Sequence, residues 1–454
     1  MVILFLIKPA TTFQGREKIV VMSAGNEGTE KIHLSKTFTV TDTIVNTFLK
    51  FSSNAYKRTW VDTWGEPGKT FCAQVTLYHN NIAGNTTGYF CIDDSIHDLA
   101  LIGSSGNDTC KIQFISQSIT ANGKPRMTID IHNKAAADSV GVSIVANDGT
   151  IHAWNEYYYY GFPYGFQCSF DSLNKSWAVS GNTISTVSDM GSGDSVIMVG
   201  AYCSKSNFTD INGSSWSYNG YVLPGRIVPF SSRGPLANSV VKPDITAPGL
   251  TICAAVSSYD MDYTPTGANS SLTIASWFDA ALSKTFYYAE FSGTSASAPC
   301  VSGIIALMMQ AYPDLSPQQA KDIIFATAIH DVYTGPFTPQ GNNNWGHGKI
   351  NAYQAIKMLM LQTGIYHYEG ITPDCVLYPN PNNGVGVLNM QATLAGDFVV
   401  EVFDIKGSMV HNGNWNVTTG ENKYTIDLSA LNTGAYLVKV SSAKGFITIK
   451  MITR

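Results

Sequence analysis

Ser295 lies in Ser292-Gly293-Thr294-Ser295, a small-residue turn that passes without interruption into an apolar stretch ending at Pro313. A serine so placed can act as a nucleophile. The glycine before it admits close approach of backbone or substrate, and a helix opening there aims free N–H groups and the positive end of its dipole at developing negative charge. The second chemical candidate stands far away in the chain. Ser23-Ala24-Gly25-Asn26-Glu27-Gly28 follows the β-branched run that begins at Lys18, which reads as a buried parallel strand delivering Asn26 to its carboxyl end, where open α/β sheets bind ligands. An asparagine amide there can donate to an oxyanion. Each stretch also has a plainer reading: Ser292 to Ser295 as a helix N-cap, and Asn26 as a residue of a left-handed turn. A Gly-x-Ser-x-Gly elbow is excluded because Ser297 stands where the second glycine belongs.

The wider context separates these readings. Gly293-Thr294-Ser295-Ala296-Ser297-Ala298-Pro299, followed by Val301-Ser302-Gly303 and an apolar helix, resembles the nucleophile segment of the subtilisin-like serine peptidases. The segment from Ser23 to Gly28 is similar to the one that carries that family's oxyanion asparagine. Ser195 to Ala201, Pro229 to Pro235, Lys242 to Gly249 and Trp345 to Asn351 continue the likeness, which covers residues 18–34 and roughly 180–360. The resemblance implies a serine endopeptidase that cleaves polypeptides through an acyl-enzyme. Ser295 would be its nucleophile, with Asn26 and the Ser295 N–H as oxyanion donors. Ser23, Ala24 and Gly25, with Gly293 and Thr294, would line the substrate site. Calcium often stabilises members of the family, but no ligand cluster here assigns a site, and no other cofactor is expected.

One part of the family pattern has no counterpart. The triad runs Asp, His, Ser along the chain, yet neither an Asp-Thr/Ser-Gly turn nor a His-Gly-Thr-His-like segment precedes Asn26. None of the nine histidines (His33, His79, His97, His132, His152, His330, His347, His367, His411) opens a helix behind a sheet strand. Asp244 occupies a position that is structural in the family. The expectation is therefore that the Asp and His segments lie upstream of Met1 and that this stretch alone is nearly inert. The alternative is a non-catalytic secreted binding or surface protein built on a peptidase remnant.

The remaining chain supplies other modules. A length of 454 residues suggests two or three domains, and 13% charged residues with a net charge of −5 suit an extracellular β-rich protein. No basic run points to nucleic acid. Eight dispersed cysteines form neither a small disulfide framework nor a zinc pattern, so one or two disulfides are expected. The apolar run Val2 to Ile7 is too short for a signal h-region, and no stretch reaches the ~18 apolar residues of a membrane span. Alternating runs between about Ser35 and Asn155, separated by Gly, Asn, Asp and Pro clusters, read as an inserted antiparallel sandwich. Within it, Gly65 to Thr70 imitates a phosphate loop, but Thr63 replaces the first glycine and a strand follows, so nucleotide binding is rejected. The aromatic run Tyr157 to Tyr160 reads as half-buried sheet packing, with glycan or peptide contact as its alternative.

After residue 371 a turn-rich entry, Tyr378-Pro379-Asn380-Pro381, introduces further strands. It resembles, with Val402 to Gly407 and Leu431 to Leu437, the C-terminal sorting domain of type IX secretion substrates in Bacteroidetes. That implies the type IX machinery as a partner and a secreted or cell-surface location beyond the outer membrane. The expected fold is α/β: a partial subtilase-like parallel sheet with helices on both faces, the inserted sandwich, and a C-terminal β-sandwich. The expected boundaries are 1–34, 35–179, 180–362, a linker 363–375, and 376–454.

Overall fold

The computed structural model describes residues 19–51, 57–135, 137–156, 168–336, 338–362, 375–392, 395–442 and 445–454. The runs Val2 to Ile7 and Tyr157 to Tyr160 lie outside them. Two compact units divide the chain: one reaches Ala306 and takes in Ser316–Asn351, and the other comprises Leu307–Leu315 and Ala352–Arg454.

In the first unit, Val20–Ser23, Val196–Cys203 and Ile245–Leu250 form a parallel sheet with the Val196 strand in the middle. Ile197, Met198, Val199 and Ala201 are all fully buried, which is why this strand reads as an unbroken apolar run rather than an alternating one. The register sets Ser23 opposite Val199 and Val199 opposite Ile245. The carboxyl ends of the strands therefore face the same way.

Among the described residues there are three α-helices: α1 (Thr294–Ala311), α2 (Pro317–Ala326) and α3 (Ala352–Gln362). Ser316 and Gln319 make both bonds of the capping box that opens α2. The apolar stretch after Ser295 predicts a helix buried on all sides, and here the structure differs. Val301, Ile305 and Met308 are buried, while Gly303 and Leu307 are exposed. One stripe of α1 meets the core and the other has no cover among the described residues. By length and composition α1 could cross a membrane, yet that buried stripe packs inside the fold.

The inserted residues make two antiparallel six-stranded sheets. One runs in the order His33–Phe38, Gly149–Glu156, Arg58–Trp64, Arg126–Asn133, Thr109–Gln117, Ile96–Ile102. The other runs Cys168–Asp171, Ile44–Phe51, Ser139–Val145, Cys72–His79, Ile82–Thr86, with Phe90–Cys91 also paired to the Cys72 strand. Alternate residues of both sheets, among them Val61, Phe114 and Ile129 on one and Val75, Val142 and Phe170 on the other, share one hydrophobic core. Lys69, the residue that imitates a phosphate-loop lysine, pairs with Asp148 at 2.6 Å.

A disulfide joins Cys72 to Cys91 across 19 residues. Removing it with Cys72→Ser and Cys91→Ser will destabilise this sandwich by about 3 kcal/mol, the loop-closure value for such a span. Urea unfolding checks this, and an unchanged midpoint would refute it.

A buried histidine pair ties the return segment to the first of these sheets. The Ile184 N–H donates to Asn182 Oδ1 at 2.9 Å, which marks that oxygen as an acceptor. His33 Nδ1 therefore donates to the same oxygen at 3.0 Å, and His152 Nδ1 donates to His33 Nε2 at 3.0 Å. Burial pushes His33 down to about 4, and burial followed by the nearby Lys124 charge lowers His152. In the unfolded chain both return to an ordinary value near 6.5. As pH falls through this window, the unfolded chain binds protons that the native state refuses, so stability drops between about 6.5 and about 4. The denaturation midpoint will fall over that range, and the double variant His33→Gln/His152→Gln will show a flatter profile. Identical profiles would refute the assignment.

In the second unit, Val376–Tyr378, Val385–Ala392 and Gly420–Asp427 form one antiparallel sheet. Met409–Val417, Gly396–Phe403, Gly434–Ser442 and Gly445–Thr453 form another. Leu388, Val400, Val402, Ile426 and Val438 lie in a core common to both.

Candidate active site

The loop after Val20–Ser23 and the start of α1 meet through one buried residue. The Gly25 N–H donates to Thr294 Oγ1 at 3.1 Å, and Thr294 Oγ1 in turn donates to Asn26 Oδ1 at 3.1 Å. The Thr294 N–H donates to the same oxygen at 2.9 Å. Since both donors need an acceptor, the amide orientation is determined, and Asn26 Nδ2 has no acceptor among the described residues. Asn26 is exposed, Ser295 half-buried and Thr294 fully buried.

A Cβ built at Gly293 would lie 3.5 Å from Asn26 Nδ2 and 3.7 Å from both Asn26 Oδ1 and Ser295 N. Both donors thus border one space that only a glycine leaves open. The backbone at Gly293, with φ of +136°, also excludes other residues. Ser295 N–H precedes the first turn of α1 that could satisfy it and has no acceptor among the described residues. An oxyanion entering this space would meet two N–H groups and a helix N-terminus.

The neighbouring strand completes the frame. Gly293 N–H donates to Gly249 O at 2.8 Å and Ser297 Oγ to Ala247 O at 3.2 Å, which seats α1 on the end of Ile245–Leu250. The segment from Phe230 to Ser232 braces the Asn26 loop from below. The Gly28 N–H reaches Phe230 O at 2.8 Å, Ser232 N–H reaches Gly25 O at 3.0 Å, and Glu27 exchanges bonds with Ser232 Oγ through its N–H (2.9 Å) and its carboxylate (3.0 Å). Burial pushes the Glu27 carboxyl above its ordinary range, against the opposing pull of the Ser232 hydroxyl. Sequence reasoning found Ser232 only as part of a recurrent segment and missed its role, since nothing local links residue 232 to residue 27.

The other expected site residues divide by exposure. Ser23 and Gly25 are half-buried and border the loop, whereas Ala24 and Thr294 are fully buried. The Thr294 side chain bonds to both Gly25 and Asn26 of the loop. Both polar atoms of Thr294 are consumed by the bonds above, so its part is to aim Asn26.

Ser295 Oγ has no hydrogen-bond partner among the described residues. Asp244 and His347 are far from it. Asp244 precedes the Ile245 strand while Gly249 ends it beside Gly293, so about five residues of strand, roughly 16 Å, separate the two ends. At its own end Asp244 is buried among Lys242 (2.7 Å), Lys321 (3.2 Å) and the Met198 N–H (2.7 Å). His347 lies against it, its ring stacked on Phe325 at 3.7 Å. A groove of about 570 Å³ lined by Tyr221, Leu223, Arg226, Val332, Tyr333 and Trp345 includes neither Asn26 nor Ser295.

The loop after Val20–Ser23 and the start of α1 thus bring Asn26 and Ser295 together at one end of the parallel sheet. The model of the subtilase family matches residues 40–348, a span that takes in Ser295 and begins after Asn26. The chain belongs to the subtilase family. The model of the secretion system C-terminal sorting domain matches residues 376–454, so this subtilase carries an export tail of the type IX kind.

Relatives extend the picture unevenly. Subtilisin-like protease SBT3.9 of Arabidopsis thaliana is 31% identical over 169 residues, which is 35% of this chain and 19% of that protein. An Aquifex aeolicus protein, aq_aa18, is 31% identical over 152 residues, 34% of this chain and 58% of its own length. The chain thus spans about a fifth of the plant protease, at 19%. Among solved structures, the CspB protease of Clostridium perfringens aligns with a TM-score of 0.51 at 19% identity, covering 76% of this chain and 61% of that one. At that identity the likeness shows a shared fold.

Proposed function

We propose that this subtilase supplies the nucleophile and the oxyanion donors of a secreted serine endopeptidase. Ser295 attacks the scissile carbonyl of a polypeptide, Asn26 Nδ2 and the Ser295 N–H receive the oxyanion, and water hydrolyses the resulting acyl-enzyme. Ser23 and Gly25 form a wall of the substrate site. The chemistry calls for no cofactor. The observation that carries this reading is the space at Gly293, bordered by both donors.

A serine hydroxyl needs an oriented base. No described residue is hydrogen-bonded to Ser295 Oγ, and this reading requires a histidine and an aspartate besides the residues described. Residues 376–454 address the protein to the type IX machinery, which delivers it through the outer membrane to the cell surface or the medium.

A fluorophosphonate probe tests the assignment. The 454-residue polypeptide alone will show almost no labelling of Ser295, whereas the same chain supplied with the aspartate and histidine segments of a subtilase will be labelled there. Strong labelling of the isolated chain would overturn the external origin of the base. Absence of labelling in both would overturn the peptidase reading.

A further inference from the structure

Ile252–Ala255, Thr273–Asp279 and Lys284–Phe291 form a separate three-stranded antiparallel sheet with the Lys284 strand in the middle. Its root is anchored. Glu290 is buried and accepts from the Thr251 N–H at 3.2 Å and from the Ser292 hydroxyl, while Thr273 is buried and donates to Tyr263 O at 2.9 Å. Away from the root the sheet stands in solvent. Trp277 is 55% exposed, Phe278 60% and Leu282 66%, and on the adjoining loop Tyr259 is 85% and Met261 68% exposed. Trp277 stacks on Phe286 across the strands at 5.8 Å, its ring partner among the described residues.

Large apolar side chains left uncovered together on one projecting element mark an interaction surface. We infer that this arm seats apolar, aromatic-rich stretches of extended polypeptide several residues away from the bond presented to Ser295, an inference that rests on the peptidase reading and narrows its substrate class. Three observations favour that occupant. The middle strand runs from the tip down to Phe291 and on into Ser292-Gly293-Thr294-Ser295, so an extended chain lying along the arm leads from the Trp277 end, about five residues of strand or roughly 16 Å from Phe291, toward the nucleophile. Among the described residues neither outer strand pairs with a further strand, the Ile211 N–H reaching only Thr273 O at the root, and such an edge suits an extended chain that can add as a further strand. The exposed tip carries one acid, Asp279, whose carboxylate is engaged by the Ala281 and Leu282 N–H groups, and one base, Lys284, whose ammonium lies over the Tyr259 ring, while the adjoining loop adds the exposed Asp260 and Asp262. The surface therefore selects for apolar character and against acidic side chains.

The experiment uses the full chain and needs no turnover. A fluorescein-labelled short peptide with phenylalanine and leucine at alternate positions, and its counterpart with serine at those positions, are titrated by anisotropy. The chain will bind the apolar peptide and not the serine peptide. Trp277→Ser/Phe278→Ser/Leu282→Ser will bind it roughly tenfold more weakly, the effect of losing central aromatic anchors. Ser295→Ala will bind as the native chain does. Should the triple variant fail to fold, Phe278→Ser alone will show a smaller loss of the same sign. Equal binding by native and variant chains would overturn the inference, as would binding to phosphatidylcholine vesicles that depends on the same residues without any binding of the apolar peptide. Loss of the fluorophosphonate result with retained peptide binding would instead remove the peptidase reading and leave the arm as a peptide-binding surface.

Discussion

Ser295→Ala, made in the polypeptide that also carries the histidine and aspartate, will lower kcat by about 10⁶, and Asn26→Ala will lower it by about 10²–10³; both magnitudes are those of the same substitutions in subtilisin, the type member of this family. The two variants differ for a physical reason. Without the serine there is no nucleophile to acylate, so only uncatalysed attack by water within a binding site remains. Without the Asn26 amide the Ser295 N–H and the start of α1 still face the oxyanion, and one donor of two is lost. Asn26→Ala will leave KM nearly unchanged, because the second donor acts on charge that exists only in the transition state. Equal losses of kcat and of ground-state binding in Asn26→Ala would contradict the placement of its Nδ2 beside Gly293. The comparison is made by active-site-titrated kinetics on an unstructured polypeptide substrate.

Asp244→Ala will destabilise the first unit by about 3–5 kcal/mol, the cost of leaving buried charges without their partner. The carboxylate is hemmed in by the ammonium groups of Lys242 and Lys321, whose side chains are 2% and 7% exposed, and by the Met198 N–H of the central strand. Lys242 keeps only Val196 O at 3.3 Å and Lys321 only Asp194 O at 2.5 Å once the acid is gone. Burial already lowers the Lys242 ammonium from its ordinary range in spite of Asp244, so removing the acid favours a neutral lysine or an opened site. Asp244→Asn, which keeps the acceptor for Met198, will lose less. Urea unfolding followed by tryptophan fluorescence reads both variants. A loss below about 1 kcal/mol in Asp244→Ala would mean that the lysines find other partners. Because Asp244 sits at the far end of its strand from Gly249, neither variant should alter the Asn26 geometry while the domain remains folded.

The residue types around Ser295 and Asn26 encode their own local structure. A Gly-Thr-Ser turn ahead of an apolar run makes a helix start, and a β-branched run ahead of Gly-Asn makes a strand end, because turn conformation and hydrophobic period are properties of a few consecutive residues. The same locality made the capping box at Ser316 legible, together with the alternating strands of the inserted sheets and the turn-rich entry at Tyr378. The structural role of Asp244 was implied only by the family resemblance of its segment. What spacing could not supply is which distant groups touch. Nothing near Thr294 announces that its hydroxyl links Gly25 to Asn26, nor does anything near His33 point to His152, and eight cysteines do not reveal that Cys72 takes Cys91. The uncovered face of α1 was likewise invisible, since an all-apolar helix carries no mark of how many of its sides the fold will cover. Such pairings depend on strand register and chain path, which are decided by the burial of the whole molecule, and so the orientation of the Asn26 amide was settled by tertiary structure alone.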